Sequence, residues 1–212
     1  MTILIWIVAF ALTITIHEAA HAWMANRLGD PTARLLGRLT LNPLKHYDPV
    51  GTTLLLVLVI MRSIGIPVIP FGWAKPVPID PYNLENPKKD TALISLAGPF
   101  VNIALATVLG IIIRIFPTEM IFNISYPIIL LNVALAVFNL IPIHPLDGGK
   151  ILVGILPAKE SHQLDMFLNQ YGMFLLFILI FPLFGGASLI SAVIDPAIGL
   201  ILNLLVPGFG TI

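Results

Sequence analysis

The sequence predicts an all-α polytopic membrane protein, with about five to six apolar segments long enough to enter a bilayer and a small membrane-associated β element. Three observations carry this. Of 212 residues, 58% are hydrophobic and 10% charged, and the mean hydropathy is +0.97; soluble domains are about a quarter charged. Runs of apolar residues recur along the chain. Between the first and second clear spans lie shorter, proline-rich stretches with β-compatible residues. The net charge is zero, so nothing in the composition points to nucleic acid. The absence of cysteine leaves His and carboxylates as the metal ligands on offer. No charged n-region or small-residue cleavage site opens the chain, so no removable signal peptide is expected. One domain over 1–212 is expected, with a core over about 1–156 and further spans over about 172–206.

Thr2 to about Met24 reads as the first span. It is apolar until Thr13, Thr15, His17, Glu18 and His21. His17-Glu18-Ala19-Ala20-His21 has the pattern H-E-x-x-H. Four residues apart on a helix, His17 and His21 aim two imidazoles at one point. Imidazole suits zinc, and a neighbouring carboxylate can serve as general base toward a water the metal activates. Ionisable groups within a span are expensive and read as functional.

Residues 26–49 turn polar. Gly29-Asp30-Pro31 is a turn signal. Thr32 to Leu41, with Gly37 inside, reads as one or two short strands or a hairpin. His46 and Asp48 sit in a polar loop and read as turn and capping residues rather than ligands. Gly51 to Met61 is apolar but short for a span, which leaves crossing and re-entry both open. Residues 63–90 carry six prolines, among them Pro67, Pro70, Pro76 and Pro78, and Lys75 to Ile79 reads as an extended edge.

Asp90 is a fair N-cap for a second span, Thr91 to Arg114. This span carries Ala97-Gly98-Pro99 and Asn102. The small residues allow close helix approach. Asn102 reads equally as a bond between helices or as part of the chemistry. Tyr126 to about Ile143 is the third span. It runs into Asn139-Leu140-Ile141-Pro142-Ile143-His144-Pro145-Leu146-Asp147-Gly148-Gly149, where two prolines stop the helix. Irregular backbone at this depth must be buried in protein or line a cavity. Asp147 is therefore the best candidate for a third ligand, completing a two-His, one-carboxylate set. Lys150 to Leu156 reads as a short helix, 157–171 as an amphipathic surface stretch with a solvated His162, and Gly172 to Phe184 and Ala187 to Val206 as final apolar runs. Gly185-Gly186 separates these runs, and Asp195-Pro196 interrupts the second.

If the segment 51–61 re-enters, the basic residues from Arg27 through Lys159 share one face and Arg114 alone lies opposite. The positive-inside rule then makes the ligand-bearing face cytoplasmic, in a multi-pass protein of the cell (plasma) membrane.

Taken together, these motifs resemble the site-2 protease family of intramembrane zinc metalloproteases. The matching pieces are His17-Glu18-Ala19-Ala20-His21, the Ala97-Gly98-Pro99 to Asn102 helix, and Asn139-x-x-Pro142 leading to Asp147-Gly148, over roughly residues 10 to 155. The resemblance implies one zinc per chain held by His17, His21 and Asp147, with Glu18 activating water and Asn139 helping to hold substrate or transition state. It implies a transmembrane-helix protein as substrate and the lipid bilayer as surroundings. The chain has no room for a PDZ or CBS domain and resembles a minimal core. His144, inside the third-ligand segment, departs from the pattern; it would compete for the metal or bond to a ligand. The segments near 32–41 and 75–80 are expected to pair with an unwound substrate by strand addition. Two rival readings fit the sequence less well. A metal-binding or metal-transport protein predicts a polar path across the bilayer, whereas the polar cluster here lies to one side. A prenyl-protein type of protease needs a later glutamate ligand, and Glu85, Glu119 and Glu160 sit in no suitable helix.

Overall fold

The computed structural model describes residues 2–66, 72–181 and 188–206. Pro67, Pro70 and the Gly185-Gly186 break fall outside these residues. The described residues form eight α-helices and two short 3-10 turns, with no strand. The helices are α1 (Thr2–Arg27), α2 (Thr32–Leu35), α3 (Gly51–Ser63), α4 (Pro87–Ile115), α5 (Glu119–Asn139), α6 (Asp147–Ile155), α7 (Ala158–Ile180) and α8 (Leu189–Leu205). Among the described residues, four stretches are long and apolar enough to cross a membrane: Leu4–Arg27, Pro87–Ile115, Glu119–Asn139 and Ala158–Ile180. Large apolar side chains such as Val8, Phe100, Val108 and Phe174 point outward. On a water-soluble surface such faces would aggregate; in lipid they are solvated. The chain is an integral membrane protein.

The expected β element is absent, and the reasons are local. Thr32–Leu35 closes as a helical turn, with Ala33 fully buried beneath it. Gly37, read from sequence as a strand residue, has φ +67 and ends that turn. Its N–H donates to the Arg34 carbonyl at 3.0 Å, and the Arg38 N–H donates to the Ala33 carbonyl at 2.8 Å, a left-handed helix cap. Beyond it, the segments 38–46 and 72–80 lie beside one another without a ladder. Pro76 and Pro78 have no N–H to give. A single backbone bond joins Lys75 N–H to the His46 carbonyl at 3.0 Å. Arg38 supplies the rest, its buried guanidinium donating to the carbonyls of Lys45, Lys75 and Pro76.

Other boundaries shift for similar reasons. α4 begins one turn before the expected start, with Pro87 in its first turn. Asp90 is not its N-cap but reaches back from inside the first turn, accepting the Asn86 N–H at 2.8 Å. α5 ends at Asn139 rather than Ile143, ahead of Pro142. The stretch split in the sequence at Tyr171 is one continuous helix, α7, and α8 runs through Asp195-Pro196 without a break. Asp48 caps α3, accepting the N–H groups of Val50 and Gly51 at 3.0 and 2.7 Å.

α4 is the central helix and packs against α1, α5 and α6, while α8 closes over α5. Ala106 and Ile113 of α4, Ile129 and Val133 of α5, and Leu202 of α8 form a dry core at one end. The opposite end of α4 faces the polar half of α1.

Candidate metal centre

α1 carries Thr13, His17 and His21 at intervals of four, so all three lie on one stripe. α4 carries Ile94, Gly98 and Asn102 at the same interval. The helices run antiparallel, so His21 meets Ile94 and Thr13 meets Asn102. α6 begins at Asp147 and delivers its carboxylate to the same point.

The three candidate ligand atoms converge. His17 Nε2 and His21 Nε2 are 3.0 Å apart, and Asp147 Oδ2 lies 3.2 Å from the first and 3.3 Å from the second. A tetrahedral zinc with bonds of about 2.0–2.1 Å sets its ligands about 3.3–3.4 Å apart. All three residues are buried. Asp147 Oδ2 is buried with no hydrogen-bond partner among the described residues, so neither imidazole contact has hydrogen-bond geometry. An anionic oxygen left in that condition is costly unless a cation faces it.

The outer nitrogens are engaged. His21 Nδ1 lies 2.7 Å from the Ile94 carbonyl, which can only accept, so Nδ1 carries the proton and Nε2 faces inward. His17 Nδ1 lies 2.6 Å from Asn102 Oδ1. Ligands held through their second nitrogen in this way are the usual support of a metal site. Gly98 makes room for both rings: a Cβ there would stand 2.5 Å from His21 Nε2 and 2.6 Å from His17 Cε1. Gly148 does the same for the third ligand, since a Cβ on it would meet the Leu140 and Ile141 carbonyls at 2.3 and 2.4 Å. α6 can start where it does only with glycine at that position.

Glu18 sits on α1 between the two histidines, half-buried. Burial holds the Arg38 guanidinium below its usual pKa, and the charge of Glu18 offsets part of that shift. Asn139 is at the end of α5, its amide donating to the Leu135 carbonyl of its own helix at 3.0 Å. His144 turns to α7, where its Nε2 is 3.3 Å from Asp165 Oδ1. His46 is buried in the 38–46 loop, with Nε2 2.9 Å from the Thr40 carbonyl. His162 is exposed on α7. Between α1 and α4, an apolar cleft of about 670 Å³ is walled by Ile16, Ala20, Trp23, Leu93 and Phe100 and reaches Leu41.

Sequence reading missed Ile94, Asn132 and Thr13, and took Gly98 only as a residue permitting close approach. A backbone carbonyl leaves no sequence signal. Asn132 did: it is an amide in mid-span, the same feature that drew attention to Asn102.

Residues 115–182 match the model of Peptidase family M50, a stretch that contains Asp147 and not the H-E-x-x-H motif. The chain is 35% identical over 185 residues to the Bacillus subtilis protein named "Putative zinc metalloprotease YwhC", covering 82% of this chain and 78% of that one. It is 30% identical over 195 residues to "Putative zinc metalloprotease Rip2" of Mycobacterium tuberculosis (strain H37Rv), covering 88% and 69%. It is 27% identical over 161 residues to "Zinc metalloprotease MJ0392" of Methanocaldococcus jannaschii, covering 74% of this chain and 37% of that protein. No solved structure matches the chain significantly.

Proposed function

The chain belongs to peptidase family M50, and from that premise we propose that it is an intramembrane zinc metalloprotease, a single membrane-embedded domain that cuts a peptide bond within or near a transmembrane segment of another protein. The observation that carries this reading is the convergence of His17, His21 and Asp147 at tetrahedral spacing around a buried, unpartnered carboxylate oxygen, with Glu18 on the same helix.

His17, His21 and Asp147 would hold one zinc. When bound, zinc would supply Lewis-acid polarisation of the scissile carbonyl and lower the pKa of the attacking water. Glu18 would act as the general base, taking a proton from the attacking water and returning it to the leaving amine. Its half-burial keeps it reachable, and its place between the ligands on α1 keeps it close. Asn139, on the segment leading to Asp147, is assigned to holding the substrate. The apolar cleft beside α1 suits an apolar segment as substrate.

The orientation follows from charge. Lys88 and Lys89 lie at the end of α4 that faces the ligands, with Arg27 at the matching end of α1, whereas Arg114 lies at the far end and bonds to the Leu204 carbonyl. This asymmetry favours a cytoplasmic metal centre in the cell membrane.

The test is zinc content and cleavage measured together on the detergent-solubilised full chain, with a panel of single-span substrates. Wild type is expected to hold about one zinc per chain and to cut. Glu18→Gln should keep the zinc and be inert, and Asp147→Ala should lose it. Wild type without zinc, or Asp147→Ala with undiminished zinc, would overturn the ligand set. Zinc movement across proteoliposomes without any cleavage would overturn the protease reading in favour of transport.

A further inference from the structure

We propose that Asn132 on α5 is a positioning residue that fixes the tautomer of His17, acting through Asn102, and so decides which nitrogen His17 offers a metal. The cause rests on hydrogen bonds alone; the consequence for zinc rests on the metal-centre reading above.

Three helices contribute to a buried polar chain. Thr13 on α1 is 1% exposed, and Asn102 on α4 and Asn132 on α5 are 0% exposed. Asn132 Nδ2 is 2.8 Å from the Ile128 carbonyl and 2.8 Å from Thr13 Oγ1. Asn132 Oδ1 is 2.6 Å from Asn102 Nδ2, and that nitrogen is 3.4 Å from the Thr13 carbonyl. Asn102 Oδ1 is 2.6 Å from His17 Nδ1.

The two ends of a side-chain amide look alike by shape, so their assignment must come from the partners. Here the partners decide it. The Ile128 carbonyl can only accept, so Asn132 must turn its NH2 toward it. Its oxygen is then the atom facing Asn102. Asn102 must meet an acceptor with its own NH2, and the Thr13 carbonyl beside that nitrogen demands the same. The Asn102 oxygen therefore faces His17, and His17 must carry its proton on Nδ1. In the neutral imidazole this leaves Nε2 bare, pointing at His21 and Asp147. Reversing any link sets two acceptors against each other in a fully buried place. A backbone carbonyl of α5 thus dictates, through two amides, the lone pair that α1 presents.

The experiment compares Asn132→Leu in two backgrounds, wild type and Asn102→Asp, using the full chain in micelles. Zinc affinity is read by chelator competition. The His17 tautomer is read by 15N NMR of the metal-free protein at a pH where imidazole is neutral. Wild type should show Nδ1 protonated and Nε2 bare. Asn132→Leu leaves the Asn102 amide held in its orientation only by the Thr13 carbonyl at 3.4 Å, and should mix the tautomers and weaken zinc binding about tenfold, the lower end of outer-partner effects. In the Asn102→Asp background a carboxylate presents an oxygen to His17 Nδ1 whichever way it turns, so Asn132→Leu should leave the His17 tautomer unchanged there. Equal losses in both backgrounds would mean that Asn132 only packs, and would overturn the proposal. So would a wild-type spectrum with the proton on Nε2, which needs no variant to fold. Wild type that binds no zinc would sink the metal reading and leave the tautomer result standing.

Discussion

Gly98 on α4 lies directly beneath His21 on α1, so close that a Cβ added to Gly98 would stand 2.5 Å from His21 Nε2. The same Cβ would reach His17 Cε1 at 2.6 Å. The two imidazoles therefore rest on bare backbone, and the distance between α1 and α4 at this level is set by the absence of a side chain. Ile94 and Asn102, one turn to either side, bond the rings only because that distance is so short.

Gly98→Ala should therefore separate the rings from both partners at once. Overpacking of this kind costs about 1–3 kcal/mol, which a helix bundle of this size can survive. The expected outcome is a folded chain with unchanged helical circular dichroism and little or no bound zinc by metal analysis. A Gly98→Ala protein that is folded and fully loaded would show that the close approach is dispensable.

Asp30 ties the end of α1 to the segment before α4, and it gives the molecule a pH dependence away from the metal centre. Its carboxylate accepts the Thr32 N–H and hydroxyl at 3.0 and 2.5 Å, the Asn83 amide at 2.9 Å and the Asp80 N–H at 2.8 Å. Burial alone would raise its pKa, but these bonds outweigh burial and hold it below the usual carboxylate range. A carboxyl whose folded pKa is depressed stabilises the fold above its unfolded value of about 3.9, and that stability is lost as pH falls through the lower folded value. Asp30→Asn should cost about 1–3 kcal/mol near neutral pH, since an NH2 would face one of the donors. Thermal unfolding in micelles at about pH 7 and about pH 3 checks this: the gap between wild type and variant should shrink at the lower pH. A gap that stays constant would remove the carboxylate as its cause.

Arg38 replaces a sheet with a side chain. Its guanidinium spans three carbonyls on two separate segments, a geometry that a fork of planar donors can satisfy and a compact ammonium cannot. Arg38→Lys is therefore expected to behave like Arg38→Met. Both should release 38–46 from 72–80 and speed proteolytic nicking within those segments while α1 and α4 stay protected. Restoration of the wild-type nicking rate by Arg38→Lys would show that charge alone suffices.

Some of this molecule is written locally and can be read without a structure. Spans follow from composition, because a helix in lipid satisfies its own backbone and needs only apolar side chains outside. The pairing of His17 with His21 follows from helical pitch, and the arrival of Asp147 from prolines that end α5 and glycines that allow α6 to start close by. The β element failed because strand pairing is not local. β-compatible residues at 32–41 permit a strand, but the burial of Ala33 and the left-handed Gly37 selected a helical turn, and the prolines near 76 denied it a partner. α7 was split in the sequence because a polar stretch followed by an apolar one resembles two elements, whereas continuous backbone bonding makes them one.

Helical pitch and turn chemistry, both legible along the chain, fix which side chains one helix or one turn can bring to a point. Only the tertiary structure decided how those side chains are held. His17 meets Asn102 across 85 residues and His21 meets the Ile94 carbonyl across 73. Such contacts depend on the register of α4 against α1 and on the angle at which α5 closes behind them. No periodicity in the chain encodes that register. It is fixed where buried amides must find partners and where Gly98 leaves room, and both conditions exist only once the helices have packed.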